Sequence, residues 1–255
     1  MTWCVKIRFG MFHKVPCDVN SKAAHHSFRI YFSLRNSSAM GLVHTPRAIY
    51  SVGRAYMRRK ALSPTVGLRR DNPHLYTDRA GVFDVDYLGH MNNAAYLTHA
   101  EFARWEMCID NGLFDHMVRR STVPVVTGAV IRYRREIKPL FRPFGVDTLV
   151  TRLNERHIWI SQNFRHHCKN NNNDNDKKED SKIRAQVLVQ GSLVRGKTVV
   201  NPIDFLLDSG ADPSLVDALV NGNDSLHDKE VERFSKLETS LRESATMDDK
   251  LQQEQ

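Results

Sequence analysis

A short stretch of this chain holds polar residues that could carry out chemistry at a carbonyl group. A carboxylate can activate water or attack a carbonyl directly, and backbone N–H groups of a tight turn can stabilise the resulting oxyanion. A glycine in such a turn allows an acyl group to approach closely. The residues of these types are Asp84, Asp86, Gly89, His90, Asn92 and Asn93.

A strand, a turn and a helix are expected to position these groups. Residues 75–85 alternate loosely between apolar and polar and predict a strand, so both carboxylates would share one face if the strand persists. Asn92 or Asn93 is a natural N-cap for a helix over residues 94–111. This helix is apolar around most of its circumference, which predicts that other elements cover it on most sides.

Four further strands are expected after the helix, and the low-complexity, Asn-rich segment 169–182 between the last two is expected to be an exposed loop. One buried helix with about five mostly antiparallel strands predicts an α+β fold, in which a curved sheet wraps one long central helix. The four strands are predicted at residues 123–133, 144–154, 158–165 and 183–194.

The segment from Asp84 to Leu97 resembles the signature of hotdog-fold acyl thioesterases, the 4-hydroxybenzoyl-CoA thioesterase-like superfamily. In that signature, D-x-D-x-x-G-H-x-N-N-x-x-Y-L joins the first strand to the central helix. Segments 59–64, 101–104 and 128–139 are more specifically similar to the thioesterase-superfamily-member, or mesenchymal-stem-cell-protein-like, branch. The resemblance implies a single hotdog domain that acts on acyl thioesters.

Thioester hydrolysis needs few catalytic groups. The leaving group is a thiolate, whose conjugate acid has a pKa of roughly 8.5, and it departs without a strong general acid. One carboxylate suffices, with oxyanion donors expected from the backbone N–H groups near Gly89, His90 and Met91 and from the dipole of the following helix. The resemblance selects Asp86 as the catalytic carboxylate, because it precedes the turn glycine by three residues. Asp84 is expected to be a turn or cap carboxylate. The His90 side chain is expected to orient Asp86 or the substrate, or else to bond to the backbone of the turn.

Asn92, Asn93, Tyr96 and Glu101 are the candidate substrate-binding residues. Each has a structural alternative, which is a capping or loop contact for the asparagines and a core position for Tyr96. Glu101 lies where some hotdog enzymes place a catalytic glutamate, but Arg104 follows it at i+3, and we favour an intrahelical ion pair between them.

The resulting prediction is an acyl-CoA thioesterase that needs no cofactor and acts as a homodimer or homotetramer, because an open sheet edge invites pairing. In the family that the chain resembles, each acyl site lies between subunits. One alternative is a hotdog protein that binds acyl groups or a partner without turnover. Another is an acyl-carrier-protein thioesterase, whose D-x-N-x-H-x-N-N motif is similar, although Leu88 stands at its middle position here.

The net charge of +8 is concentrated at the front of the chain. Residues 1–70 carry 13 Lys and Arg but a single acid, whereas the remainder carries 24 basic and 28 acidic residues. A nucleic-acid surface would need basic residues clustered on the domain itself, which argues against nucleic acid as a partner. The acid-poor extension at 1–45 predicts a mitochondrial or plastid transit peptide, with a cytoplasmic or membrane-associated chain as the alternative.

Residues 46–72 predict an amphipathic helix, opened by Pro46, and a linker into the hotdog domain at 73–200. One interpretation is peripheral membrane contact through residues 46–60. We favour a helix docked on the domain with its arginines in solvent. The arginines that share one stripe of the helix are Arg47, Arg54 and Arg58.

The last segment, 201–255, predicts two short helices at 203–208 and 213–220, followed by a polar tail. We favour a tail in solvent; the alternative is a short amphipathic stretch that docks or binds a partner through Phe234, Leu237 and Leu241. No apolar run approaches the roughly 18 residues of a membrane-spanning helix, which argues against an integral membrane protein. The four cysteines lie far apart, and three adjacent residues such as His166-His167-Cys168 cannot wrap around one ion, so no metal site is expected.

Overall fold

The computed structural model describes residues 3–8, 11–16, 39–59, 61–137, 143–166, 182–222, 228–240 and 243. The chain forms two compact units, Met1–His44 and Thr45–Gln255. The first unit contains an antiparallel hairpin of β1 (Trp3–Arg8) and β2 (Met11–Pro16). Residues 17–38 of the predicted transit peptide lie outside the described residues, as does most of the Asn-rich loop, and targeting stays a prediction.

The second unit is an α+β domain in which an antiparallel sheet curls around one long helix, α2 (Asn93–Asp110). The strand order across the sheet is β3-β5-β6-β7-β4, and β8 pairs with the end of β7. The strands are β3 (His74–Arg79), β4 (Val123–Tyr133), β5 (Pro143–Leu153), β6 (Ile158–His166), β7 (Ile183–Arg195) and β8 (Thr198–Val200). The other helices are α1 (Ala39–Arg58), α3 (Leu113–Arg119), α4 (Pro202–Asp208), α5 (Pro213–Asn221) and α6 (residues 228–240).

Helix α2 is the centre of the main core. The side-chain oxygen of Asn92 caps it by accepting the N–H of Ala95 at 2.8 Å, and Asn111 and Gly112 end it with a left-handed φ of +85° at the glycine. Its small buried residues allow the sheet to approach closely, and alternate residues of β7, including Val187, face it. In the described part of the chain, no helix has the length and apolar character needed to cross a membrane.

The strand before the motif is shorter than predicted. β3 ends at Arg79, and Val82–Asp84 form a short 3-10 helix. The N–H of Gly81 donates to Oδ2 of Asp84 at 2.8 Å and closes this bend locally. The two motif carboxylates therefore share no strand face, because Asp84 is buried within the bend and Asp86 lies beyond it, half-exposed.

Helix α1 begins at Ala39, ahead of the predicted start, and Pro46 lies inside it. The helix is docked on the domain, and its arginines are paired with carboxylates instead of lying only in solvent, although Arg58 remains 45% exposed. Carboxylates distant in sequence bind them, and these partners cannot be recognised from the periodicity of the helix. The ion pairs are Arg47–Asp84, Arg54–Asp78, Arg54–Glu106 and Arg58–Glu106.

Helix α6 also departs from the predicted solvated tail. Val231 and Phe234 are buried, at 3% and 8% exposure, on the face of the sheet opposite α2. The Phe234 ring lies against Gly128 of β4, where a Cβ atom would come within 2.8 Å of the ring. The lack of a side chain at Gly128 therefore makes room for this aromatic residue.

We expect Phe234→Ala to lower the free energy of unfolding by about 3 kcal/mol, because it removes a buried aromatic side chain. Gly128→Ala is expected to lower it by about 1 to 3 kcal/mol through overpacking, and to cost less when Phe234 is also alanine. Urea denaturation of the three variants measures these differences. Leu237→Ala is the control, since this α6 side chain is 51% exposed. An unchanged stability in Phe234→Ala would show that α6 does not dock in solution.

Candidate active site

The motif turn, residues 85–91, is a tight loop closed by its own backbone. Val85 pairs with Met91, the N–H of Asp86 donates to the carbonyl of His90 at 2.9 Å, and the N–H of Gly89 donates to the carbonyl of Asp86 at 3.0 Å. Gly89 has a φ of +76°, which favours glycine, and a Cβ there would meet open space. Gly89 is therefore required by the backbone conformation of the turn.

The carboxylate of Asp86 uses its two oxygens differently. Oδ1 accepts the N–H groups of Leu88 at 2.9 Å and His90 at 3.1 Å. Within the described residues, Oδ2 has no hydrogen-bond partner. One oxygen therefore fixes the side chain on the turn, and the other is available to a water molecule or a substrate.

Asp86 lies in the wall of an open groove of about 600 Å³ at the N-terminus of α2. The groove is lined by the motif turn, the first turn of α2 and the segment that follows β4. Its walls carry both acidic and basic groups next to tyrosine rings. Lining residues include Asp86, His90, Asn93, Tyr96, Tyr133 and Arg184.

The imidazole of His90 lies next to the carboxylate of Glu136. Its Nε2 lies 3.4 Å from Oε2 of Glu136. The backbone of His90 makes the recorded contacts with Asp86, since its N–H donates to Oδ1 and its carbonyl accepts the N–H of Asp86. The main chain of His90 helps to hold Asp86, and the predicted role of the His90 side chain stays a prediction. The side chain remains on the groove wall, where it could meet a substrate.

The backbone donors expected to bind an oxyanion are all engaged within the chain. Gly89 and His90 donate to Asp86, and the N–H of Met91 donates to the carbonyl of Ile137 at 3.3 Å. An oxyanion bound at this site would therefore need donors from another element. The first turn of α2 is the nearest source, because the first N–H groups of a helix have no intrahelical acceptor.

The candidate substrate-binding residues divide into two groups. Asn93 and Tyr96 line the groove, and burial raises the pKa of Tyr96 to about 12, so its hydroxyl stays protonated and accepts the N–H of Ile137 at 3.2 Å. Asn92 is the helix cap. Glu101 stands outside the groove lining and accepts the indole N–H of Trp105 at 3.3 Å.

Arg104 has a second partner besides Glu101, whose carboxylate acts on it electrostatically. The guanidinium of Arg104 donates to Oε1 of Gln162 at 2.7 Å, in the interior between α2 and β6. Gln162 is fully buried and donates in turn to the carbonyl of Ala100 at 2.9 Å. Arg104 therefore interacts with a buried amide as well as with the carboxylate of Glu101.

A buried carboxylate cluster beside the turn was missed at the level of sequence. Asp84, at 2% exposure, lies 2.8 Å from Arg47 and 3.2 Å from Nε2 of the fully buried His99. The other ring nitrogen of His99, Nδ1, lies 3.3 Å from the hydroxyl of Tyr76. That hydroxyl donates to Asp78. The sequence did indicate a buried histidine, because His99 lies three residues after Tyr96 and three before Phe102 and so shares their buried helix face.

A second cluster, His74, Glu106 and Asp110, has the residue types of a metal site, with its candidate ligand atoms within 4.8 Å of one another. Nε2 of His74 bonds to Asp110 at 3.0 Å, and Arg58 and Arg54 pair with Glu106. Burial raises the pKa of Glu106 while these arginines oppose the rise. The two guanidinium charges would repel a cation, so the cluster fits an ion-pair network better than a metal centre.

Asp84 makes stability depend on pH in a direction that can be tested. Burial alone would raise its pKa, but His99, the N–H of Gly81 and Arg47 outweigh burial and lower the pKa from 3.8 to about 2. Because the folded pKa lies below the unfolded one, the stabilisation is complete above the unfolded pKa and is lost as the pH falls from about 4 to 2.

We expect Asp84→Asn to be less stable than the wild type by about 2 kcal/mol at neutral pH, and this difference to close on acidification through that range. Chemical denaturation at a series of pH values measures it. Asp71→Asn is the control, since that carboxylate is 69% exposed beside Arg69 and should give a small, nearly constant difference. A pH-independent gap for Asp84→Asn would contradict the assignment.

Among curated relatives, Protein THEM6 of Xenopus laevis is 34% identical over 91 residues, covering 36% of this chain and 44% of that protein. Protein THEM6 of Drosophila melanogaster is 31% identical over 121 residues, covering 46% and 58%. The chain spans about half the length of the curated relatives it matches.

Solved structures of similar shape include the probable thioesterase YbaW from Escherichia coli, with 19% identity, a TM-score of 0.45 and coverage of 56% of this chain and 98% of that one. Slr0204, a 1,4-dihydroxy-2-naphthoyl-CoA thioesterase from Synechocystis, has 9% identity and a TM-score of 0.44, covering 54% and 94%.

A family model described as the thioesterase-like superfamily matches residues 81–213, just over half of the chain. The match includes the motif turn, α2 and the strands β4 to β8 that curl around the helix. The domain therefore has the hotdog fold, and the chain belongs to the thioesterase-like superfamily.

Proposed function

We propose that this protein hydrolyses an acyl-CoA thioester, with Asp86 either activating a water molecule or attacking the carbonyl carbon. The observation that carries the proposal is the position of Asp86 on the groove wall, with Oδ1 fixed by two N–H groups and Oδ2 without a partner in the described chain. Membership of a thioesterase-like superfamily supports the same class of reaction.

The first turn of α2 is the best source of oxyanion donors. The N–H of Ala95 is bonded to the side chain of Asn92. The N–H groups of Asn93 and Ala94 also lie in the first turn, where a helix offers no intrahelical acceptor. Asn93 lies on the groove wall, and the positive end of the helix dipole is directed to the same region. A carbonyl oxygen placed there would gain charge close to these donors and within reach of Asp86.

The basic residues of the groove support a substrate with anionic groups, such as CoA. Arg134 and Arg135 are exposed on the groove wall, and Arg184 lies beside them. Guanidinium groups bind phosphate oxygens through paired hydrogen bonds. An acyl-carrier-protein thioester would also present phosphate and acidic groups, so both carriers belong in the assay.

The test is the release of thiol from a panel of acyl-CoA and acyl-carrier-protein substrates, followed with a thiol-reactive dye. Asp86→Asn keeps an oxygen that can accept the N–H groups of Leu88 and His90 but removes the carboxylate. We expect it to lower kcat by about a hundredfold or more. Asp71→Asn, which changes an exposed carboxylate outside the groove, should keep wild-type turnover.

Normal turnover in Asp86→Asn would refute the role of this carboxylate. A wild-type protein that binds acyl-CoA but cleaves none of the thioesters would establish the non-catalytic binding alternative. If the protein cleaves acyl-carrier-protein thioesters faster than acyl-CoA thioesters, the proposed substrate becomes an acyl-carrier-protein thioester.

We also propose that the working unit is a homodimer or homotetramer formed through β4. This edge strand pairs with β7 on one side and, within the described residues, has no strand on the other. Its exposed apolar side chains include Val123, Val125 and Val126. An open apolar edge can pair with a strand of a second chain. The last residue of β4, Tyr133, lines the groove, so a chain paired at β4 would lie close to it.

Light scattering of the wild type at micromolar concentration should give a mass near two or four times 29.3 kDa. Val125→Lys places a charge on the edge and is expected to shift the protein towards the monomer, with loss of turnover if the neighbouring chain completes the groove. Val199→Lys, at an equally exposed valine of β8, is the control. A monomeric wild type with full activity would refute the dimer.

A further inference from the structure

We propose that Arg47 and Asp84 are positioning residues that couple the docking of helix α1 to the geometry of the motif turn. The inference rests on the proposed function, because the motif turn carries Asp86. Neither Arg47 nor Asp84 lines the groove. Their effect on the reaction would therefore pass through the backbone of the turn.

The main chain of Asp84 fixes both ends of the motif turn. Its carbonyl accepts the N–H of Asn92 at 2.8 Å, and the next residue, Val85, pairs with Met91. Asn92 in turn accepts the N–H of Ala95 and so begins α2. A displacement of Asp84 would therefore move the base of the turn relative to the helix N-terminus.

The side chain of Asp84 is held by three groups from different parts of the chain. The N–H of Gly81 belongs to the same bend, and His99 belongs to α2, so both are part of the domain core. Arg47 alone comes from α1, and its Nη2 lies 2.8 Å from Oδ1. Helix α1 thus supplies the cationic partner of a buried carboxylate, and an unpaired carboxylate would gain by moving towards water.

The guanidinium of Arg47 is itself fixed in place. It lies 5.7 Å from the centre of the Phe102 ring, a side chain that is 2% exposed, and forms a cation–π contact there. Arg58, eleven residues further along α1, pairs instead with Glu106 and makes no contact with the motif turn that the structure records. The two arginines hold the same helix by the same chemistry, but only Arg47 acts at the turn.

This difference gives a matched pair of variants for steady-state kinetics of the full chain. Arg47→Met keeps an unbranched apolar stem and removes the charge, and we expect kcat to fall about tenfold or more with KM within about twofold, because misplaced catalytic groups mainly slow the chemical step. Arg47→Lys should restore kcat to within about threefold of wild type. Arg58→Met should keep kcat within about twofold. All variants are assayed well below their unfolding temperatures.

Hydrogen exchange of the motif turn gives a second readout that needs no turnover. We expect the amides of Leu88, His90 and Asn92, which are bonded at the turn, to exchange about tenfold faster or more in Arg47→Met and at the wild-type rate in Arg58→Met. Wild-type exchange at the turn in Arg47→Met would overturn the inference. Equal changes in both variants would also overturn it, since Arg47 would then only anchor the helix. If the wild type cleaves no thioester, the proposed function fails, and exchange still decides the coupling.

Discussion

Helix α2 can be stable only if it is covered on most of its circumference, because nine of its 18 residues are buried. The curled antiparallel sheet provides this cover along the length of the helix, and the N-terminal end opens into the groove. The end of a helix is also where backbone N–H groups lack acceptors. The requirement to bury α2 thus brings the motif turn, unpaired donors and a solvent-accessible groove to the same place.

The buried surface of α2 is not purely apolar, and this shapes the rest of the domain. His99 and Glu106 lie within it and need partners, because an uncompensated charge in the interior is strongly destabilising. Asp84 meets His99, and arginines of α1 reach Asp84 and Glu106. Helix α1 therefore places ion pairs at the positions where the core carries charge, in addition to burying Ala55.

The sequence was most informative where structure is set by neighbouring residues. The strands β4 and β7, the N-cap of α2 and the start of α5 at Pro213 follow the predicted pattern to within a residue or two. It was least informative where a distant partner decides. The carboxylate of Asp84 is buried against Arg47 and His99, and Phe234 of α6 packs on a glycine more than 100 residues earlier in the chain. Alternation and capping rules contain no information on such partners.

The chemical role that we propose for Asp86 is compatible with its structural role in the turn. Two N–H groups of the turn donate to Oδ1 of Asp86, so this oxygen has a structural role. Aspartate is favoured at such turn positions for this reason alone. That role leaves Oδ2 unused. An amide oxygen or a serine hydroxyl could accept the same N–H groups, but neither has a second oxygen with negative charge facing the groove. The hydrogen bonds to Oδ1 would also hold Oδ2 in place, which is what a general base or nucleophile requires.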